Sequence, residues 1–268
     1  MDERELKPLL DLLRRRYNTA RHAATDPVSF VRALADTEQR EVVGLVAAFL
    51  AYGSLVQIMR SVRDALERLG PTPRAFILDS PPQALRDACG GFVHRVVNGD
   101  RLWRLLWAVK DVLLRHGSLR ACFLHHDRPA EPTVLPGLMG LAGELREAGQ
   151  APAHLVADPC RGSACKRWHL FLRLMVRRDA IDPGGWDEVS PSRLVVPLDA
   201  HTWRLWRELG LTQRRTCSQA AALEISDRLR RIAPEDPVKY DFALMHASAS
   251  ADTDLIEALS GMGGRESG

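Results

Sequence analysis

Apolar residues recur every three to four positions along most of this chain, which is the spacing of one buried face on an α-helix. No segment alternates apolar and polar residues over the length of a strand, and no internal repeat is found. The pattern therefore predicts an all-α fold. The predicted helices cover residues 3–16, 40–52, 54–69, 82–89, 101–115, 137–148, 218–232 and 237–248, and residues 260–268 are predicted as a frayed tail.

A cationic helix is predicted after a tight turn that contains Pro159 and Gly162. Ser163 is expected to cap this helix, which the apolar spacing extends over about 15 residues. Six basic residues and no acidic ones lie in the segment from Arg161 to Arg178. Backbone N–H groups at a helix start bind phosphate well. The segment is therefore interpreted either as a nucleic-acid contact or as a solvated charged face.

Asp199 follows the apolar run 194–198 and opens a further predicted helix, which ends at Gly210. The apolar run is expected to leave this carboxylate largely buried. As a helix N-cap, Asp199 would contribute about 1 kcal/mol to stability. A capping carboxylate can also be held in place for chemistry, so the two roles are compatible.

Composition narrows the classes of partner and compartment. The chain has 268 residues, enough for one or two domains. Its 37 Lys and Arg against 34 Asp and Glu give a net charge of +3, so a nucleic-acid surface must be a local patch. The five cysteines lack CxxC spacing and are predicted to be free thiols in a reducing cytosol, with no metal or other cofactor. No apolar run has membrane-spanning length, so no membrane partner is expected.

Three segments resemble the helix-hairpin-helix DNA glycosylase superfamily: G-S-A-C-K-R at 162–167, V-P-L-D-A-H at 196–201 and D-P-V-K-Y-D-F-A-L at 236–244. The resemblance spans roughly residues 25–248 and is closest to the archaeal 8-oxoguanine glycosylase branch and a related, little-characterised bacterial family. Lys166 matches the lysine of bifunctional members, and Asp199 matches the catalytic aspartate. The turn before Lys166 departs from the usual L-P-G-V-G hairpin.

The resemblance implies two helical subdomains with a cleft between them. Residues 36–179 would form a central domain that holds the hairpin-like turn and Lys166. Residues 1–35 and 180–268 would form a second domain, built from both termini and containing Asp199.

The implied activity is DNA repair: the protein would flip and excise a damaged purine, with 8-oxoguanine favoured. Lys166 would form a Schiff base that supports AP lyase activity, and Asp199 would stabilise the cationic sugar. The implied partner is double-stranded DNA containing a damaged base, bound by a monomer in the cytoplasm at the nucleoid. Alternatives are a monofunctional glycosylase for alkylated bases and a non-catalytic DNA-binding or protein-interaction domain.

The resemblance also implies two sets of contact residues. DNA-backbone contacts are expected from Arg161, Gly162, Ser163, Ala164, Arg167, Arg173 and His201. Base recognition or gap filling is expected from Tyr52, Gly53, Ser54, Gln57, Trp168, Tyr240, Asp241, Phe242 and Met245.

Overall fold

The computed structural model of the protein describes residues 3–149, 151 and 153–249. Regular structure in this part is almost entirely α-helical, which confirms the predicted class. The helices are α1 (Glu3–Tyr17), α2 (Ala20–Ala24), α3 (Val28–Arg32), α4 (Thr37–Phe49), α5 (Leu55–Leu69), α6 (Pro73–Asp79), α7 (Pro82–Ala88), α8 (Gly99–His116), α9 (Leu119–His126), α10 (Leu135–Gly149), α11 (Lys166–Val176), α12 (Ala200–Glu208), α13 (Gln219–Ile232) and α14 (Asp241–Ala249). One short antiparallel hairpin, β1 (Val93–His94) and β2 (Val97–Asn98), precedes α8.

Helix starts follow capping side chains that the sequence supplies. The side chains of Asp36, Ser54, Asn98 and Ser218 accept backbone N–H bonds at the starts of α4, α5, α8 and α13. Gly117, at φ +82°, ends α8 in a conformation that favours glycine. These local signals explain why the long helices lie close to their predicted positions.

Three predicted helix starts are wrong. The helix predicted from residue 40 begins at Thr37, directly after the Asp36 cap. The helix after the 158–165 turn begins at Lys166 and has 11 residues, because Cys165 rather than Ser163 occupies the N-cap position. The last helix begins at Asp241 rather than at 237, because residues 237–240 form turns. The short helices α2, α3, α6 and α9 and the hairpin were not predicted. The predicted tail at 260–268 lies outside the described residues.

The helices pack around one continuous cluster of buried apolar side chains. α11 and α3 pack against α4, while α8, α9 and α10 pack against one another. α1, near the start of the chain, packs against α13 and α14. The contact of α1 with α13 and α14 is required for a domain built from both termini. The division into residues 36–179 and residues 1–35 plus 180–268 stays a prediction. No helix in the described part combines the length and apolar character needed to cross a lipid bilayer.

A buried network of ion pairs extends from α11. The Arg173 side chain is 2% exposed and lies 2.6 Å from Asp241 and 3.3 Å from Asp182. Arg177, also 2% exposed, contacts Asp182 and lies 3.0 Å from Asp236. The network therefore joins α11 to the loop that follows it and to the start of α14.

Candidate active site

Lys166 and Asp199 lie 33 positions apart in sequence and meet in space. The Lys166 Nζ atom donates to Asp199 Oδ2 at 2.6 Å. A parallel β-bridge pairs Cys165 with Leu198, the residues that immediately precede the two side chains. The contact between Lys166 and Asp199 is thus built on a main-chain contact between their segments.

Asp199 is fixed by the start of α12. Its Oδ1 atom accepts the backbone N–H groups of His201 and Thr202, each at 2.9 Å. The Thr202 hydroxyl in turn accepts the Asp199 N–H at 3.0 Å, which completes a capping box. The predicted N-cap role and the contact with Lys166 are therefore compatible, since each uses a different carboxylate oxygen. Thr202 was not among the predicted site residues, although its place three residues after Asp199 is the capping-box spacing.

The segment before Asp199 is buried, as its apolar sequence predicts. Val196 and Leu198 are at most 1% exposed, and the Val196 N–H donates to the Ser226 hydroxyl at 3.0 Å. Burial by itself would raise the pKa of Asp199. The charge and hydrogen bond of Lys166, with hydrogen bonds from Thr202, outweigh burial and hold this pKa below its ordinary value. Asp199 is therefore a carboxylate at neutral pH, and its side chain keeps 36% of its surface exposed.

The turn before Lys166 presents backbone to solvent. Gly162 and Cys165 both have positive φ, +78° and +49°, which bends the chain sharply into α11. Arg161, Gly162 and Ser163 are exposed, whereas Ala164 is buried. No side chain caps the first turn of α11 in the described residues.

Other contacts hold this turn in place. Arg146 of α10 forms a 2.6 Å ion pair with Asp158, whose other oxygen accepts the Cys160 N–H at 2.9 Å. The Gly162 carbonyl accepts the Gln219 N–H at 3.0 Å, at the start of α13. The turn is thus connected to both α10 and α13.

Arg167 and Tyr52 form a stacked pair beside Lys166. The Arg167 guanidinium lies 4.5 Å from the centre of the Tyr52 ring, and it donates to the carbonyls of His154 and Leu155. The Tyr52 hydroxyl donates to the His94 carbonyl at 3.1 Å. Arg167 was predicted to contact DNA phosphate, but much of its hydrogen-bonding capacity serves protein carbonyls. This half-buried pair brings the end of α4 next to the start of α11.

Gly53, Ser54 and Gln57 were predicted to contact bases. All three are exposed: Gly53 and Ser54 lie in the turn between α4 and α5, and Gln57 lies in the first turn of α5. The Ser54 hydroxyl accepts the Gln57 N–H at 3.4 Å. Gly53 has φ +105°, and a Cβ atom there would lie 3.2 Å from the Arg95 side chain of the β1–β2 hairpin. These residues are therefore surface-accessible and adjoin Tyr52.

Two charged residues in the predicted DNA-contacting sets are in the core. Arg173 was expected on the polar face of its helix, but it is buried and paired with Asp182 and Asp241. Asp241 was expected to bind the edge of the extruded base, but it is 5% exposed and its charge faces Arg173. Neither side chain is free to contact DNA in this conformation, and both assignments are withdrawn.

The aromatic residues in the predicted base-recognition set are also core residues. Trp168, Tyr240 and Phe242 are at most 1% exposed, so none offers a face on which a base can stack. Their contacts explain this burial: the centres of the Trp168 and Phe49 rings lie 4.8 Å apart, and the Tyr240 hydroxyl donates to Asp11 Oδ1 at 2.8 Å. These three assignments are corrected to packing roles.

Met245 and His201 keep accessible surface. His201 Nε2 lies 3.0 Å from the Ser248 hydroxyl, and that hydroxyl donates to the Met245 carbonyl at 2.8 Å. The start of α12 is thus joined to α14. Cys217, absent from the predicted site, lies near Leu198, with Sγ 3.8 Å from its carbonyl oxygen. Burial and the Asp199 carboxylate raise the pKa of this thiol, which keeps it neutral.

Comparison with known proteins places the chain in a family. The sequence profile of the family described as "protein of unknown function (DUF2400)" matches residues 26–250. Searches of curated proteins and of solved structures found no match. The matched region contains Lys166 and Asp199 together with every element that holds them. The chain therefore belongs to the DUF2400 family.

Proposed function

We propose that this protein is a DNA repair glycosylase that flips a damaged purine, 8-oxoguanine by preference, and cleaves its N-glycosidic bond, with an associated AP lyase activity. The observation that carries the proposal is the 2.6 Å contact between Lys166 Nζ and Asp199 Oδ2. The sequence resemblance names these two residues independently as nucleophile and catalytic carboxylate.

Asp199 supplies negative charge where the reaction develops positive charge. As the base leaves, the deoxyribose acquires oxocarbenium character, which a fixed carboxylate stabilises. The lowered pKa keeps Asp199 ionised, and the α12 cap fixes its orientation in advance. Such preorganisation limits the reorganisation that the transition state requires.

Lys166 supplies the nucleophile. Its neutral amine attacks C1′, so that a carbon–nitrogen bond forms while the bond to the base breaks and the base takes the electron pair. The lysine proton passes to Asp199 or to water. Opening of the sugar ring then gives a Schiff base, which acidifies a C2′ proton and allows β-elimination of the 3′ phosphate.

Contacts with the DNA backbone are proposed for the exposed turn 161–163 and the uncapped start of α11. Backbone N–H groups at a helix N-terminus bind phosphate without an added cation. This suits a chain whose net charge is only +3. Tyr52, Gly53, Ser54 and Gln57 are the residues proposed to face the bases, because they adjoin Arg167 and stay accessible.

Borohydride trapping on duplexes that each contain one lesion tests the proposal. Wild-type protein is expected to release the base and to form a covalent adduct that borohydride stabilises. Lys166→Gln is expected to form none, although Lys7, Lys110 and Lys239 remain in that variant. Lys7→Gln, a change at an exposed lysine, is the matched control and is expected to trap like wild type. Equal trapping by Lys166→Gln, or no base release from any lesion, contradicts the proposal.

A second candidate, a monofunctional glycosylase for alkylated bases, is favoured by the ion pair itself. Lys166 Nζ is engaged with the Asp199 carboxylate, 2.6 Å from Oδ2, and this contact must break before Nζ can attack carbon. In this alternative Lys166 remains a cation that orients Asp199, and water attacks C1′. Base release without any trapped adduct, together with preference for an alkylated base, would favour it.

A further inference from the structure

A second cluster of reactive side chains lies on α8, α9 and α10, which carry neither Lys166 nor Asp199. His116 ends α8, Cys122 lies within α9, and Glu144 lies within α10. One ligand atom from each residue lies within 4.8 Å of the others. Among the described residues this is the one group of three such side chains that meets the spacing of a metal site.

Glu144 is the centre of this cluster. Its Oε2 atom lies 2.6 Å from His116 Nε2, and its Oε1 atom lies 2.5 Å from His126 Nε2. The Glu144 side chain is 13% exposed, and Cys122 is fully buried. A third imidazole, His125, lies 5.7 Å from the His116 ring. A carboxylate, a thiol and several imidazoles therefore converge at the junction of three helices, where the Arg115 guanidinium also lies 2.6 Å from Glu144 Oε2.

Glycine residues on α10 make this convergence possible. A Cβ atom on Gly140 would overlap the His126 ring, and one on Gly137 would lie 2.6 Å from the Phe123 ring. α9 can approach α10 this closely only because both positions lack a side chain. The close approach is what brings His126 within reach of Glu144.

We propose that His116, Cys122 and Glu144 bind one Zn²⁺ ion, and that His126, which lies outside this group of three but contacts Glu144 at 2.5 Å, is the fourth ligand. Imidazole nitrogen, thiolate sulfur and carboxylate oxygen are the ligands that zinc takes in proteins, usually four in a tetrahedron. One thiolate and one carboxylate balance the two positive charges of the Zn²⁺ ion, and the imidazoles bind as neutral ligands. The proposal revises the expectation of no metal, which rested on the absence of closely spaced cysteines.

Four protein ligands make a closed site, which is typical of structural zinc. Such an ion would join α8, α9 and α10. α10 also carries Arg146, whose ion pair with Asp158 holds the turn before Lys166.

Cobalt substitution of the full-length protein tests the proposal. After removal of metal with a chelator, wild-type protein is expected to bind one Co²⁺ per chain, with the visible bands of tetrahedral cobalt and a thiolate charge-transfer band in the near ultraviolet. Zn²⁺ should displace the cobalt and raise the melting temperature. Wild-type protein that binds neither ion in stoichiometric amount overturns the proposal, whatever the variants do.

Matched variants identify the ligands. Cys122→Ser is expected to lose the charge-transfer band. Cys89 is also a buried free thiol, at the C-cap of α7, so Cys89→Ser is the matched control and should keep the band. His116→Asn, at a partly exposed position, should weaken Co²⁺ binding at least about tenfold while the circular dichroism spectrum stays that of a folded protein. A band retained in Cys122→Ser, or unchanged affinity in folded His116→Asn, overturns the assignment.

Discussion

At the scale of single residues, the two carboxylate oxygens of Asp199 make different contacts. Oδ1 caps α12, and Oδ2 faces Lys166. An asparagine at this position would keep an oxygen for the cap and lose the negative charge. The substitution therefore separates a structural role from a chemical one.

We predict that Asp199→Asn leaves the protein folded and slows base release in a single turnover by on the order of 100-fold or more, because the developing cation loses its stabilising charge. Stability should change by only about 1 kcal/mol or less, since the ion pair with Lys166 is partly exposed. Rapid-quench assays on lesion duplexes and thermal unfolding measure the two effects.

Asp36→Asn is the control for this prediction. Asp36 also caps a helix, α4, by accepting a backbone N–H at 2.9 Å, and it lies outside the candidate site. The control should match wild type in both assays. A folded Asp199→Asn variant with an unchanged single-turnover rate would leave Asp199 only its capping role.

Lys166 and Asp199 could be singled out from the sequence because each lies in a short motif that carries the glycosylase resemblance. Arg173 and Asp241 were not, because the two are 68 positions apart and a buried ion pair leaves no mark in either segment. In the sequence pattern of a helix, an arginine that forms a buried ion pair and an arginine that faces solvent both appear as polar residues outside the apolar stripe. The error in the DNA-contacting set follows from that ambiguity.

At the scale of elements, Glu41 joins α4 to α9. This buried carboxylate accepts the Leu119 N–H at 2.7 Å, at the first residue of α9, and the Trp186 indole N–H at 3.0 Å. Burial raises the pKa of Glu41 from 4.5 to about 7, although these hydrogen bonds oppose the change. Between these two pH values, the folded protein therefore keeps a proton on Glu41 that the unfolded chain has released.

We predict that the contribution of Glu41 to the free energy of unfolding is largest below about pH 4.5 and falls as pH rises to about 7, by on the order of 3 kcal/mol. Glu41→Gln, which cannot titrate, should flatten the stability profile across that interval. It should also lower stability by about 1–3 kcal/mol at low pH, because a carboxamide offers one acceptor oxygen where Glu41 uses two. Urea unfolding between pH 4 and 8 measures both effects.

Glu38→Gln provides the comparison, since Glu38 lies on the same helix with an exposed side chain paired to Arg74. Its profile should run parallel to that of wild type. Parallel profiles for wild type and Glu41→Gln would show that Glu41 does not titrate in this interval.

Long helices were predictable because burial of one helix face places apolar residues every three to four positions over many turns. The eight-residue α9 and the two-residue strands of the hairpin are too short to impose a period. The start of α11 was misplaced for a different reason: Cys165 adopts a positive φ, and a residue with a side chain gives no warning of that conformation.

At the scale of the whole molecule, the buried ion pairs of α11 join parts of the sequence assigned to different predicted domains. Arg173 lies within 36–179, while Asp182 and Asp241 belong to the remainder. Charges in such an environment must be matched, because an unpaired one is costly to bury.

We predict that Asp241→Asn lowers the free energy of unfolding by about 3–5 kcal/mol, because Arg173 loses one of its two buried partners. Urea unfolding at neutral pH is the measurement. Asp187→Asn, which affects an exposed pair with Arg178, should cost about 1 kcal/mol or less. Full stability of Asp241→Asn, together with slow excision, would instead restore the base-recognition role.

The domain division illustrates what sequence cannot give at this scale. The contact of α1 with α13 and α14 suits a domain made of both termini. The core cluster nevertheless runs on without interruption among the described residues. How far the two regions move against each other depends on this shared packing, which no local pattern encodes.

The pairing of Cys165 with Leu198 has a consequence for how the family can vary. A bridge between main chains is indifferent to the identity of the side chains around it. The separation of the amine and the carboxylate can therefore survive extensive exchange of neighbouring residues. Proteins of this family can therefore differ in the surface around Lys166 and Asp199 while the two side chains stay in contact.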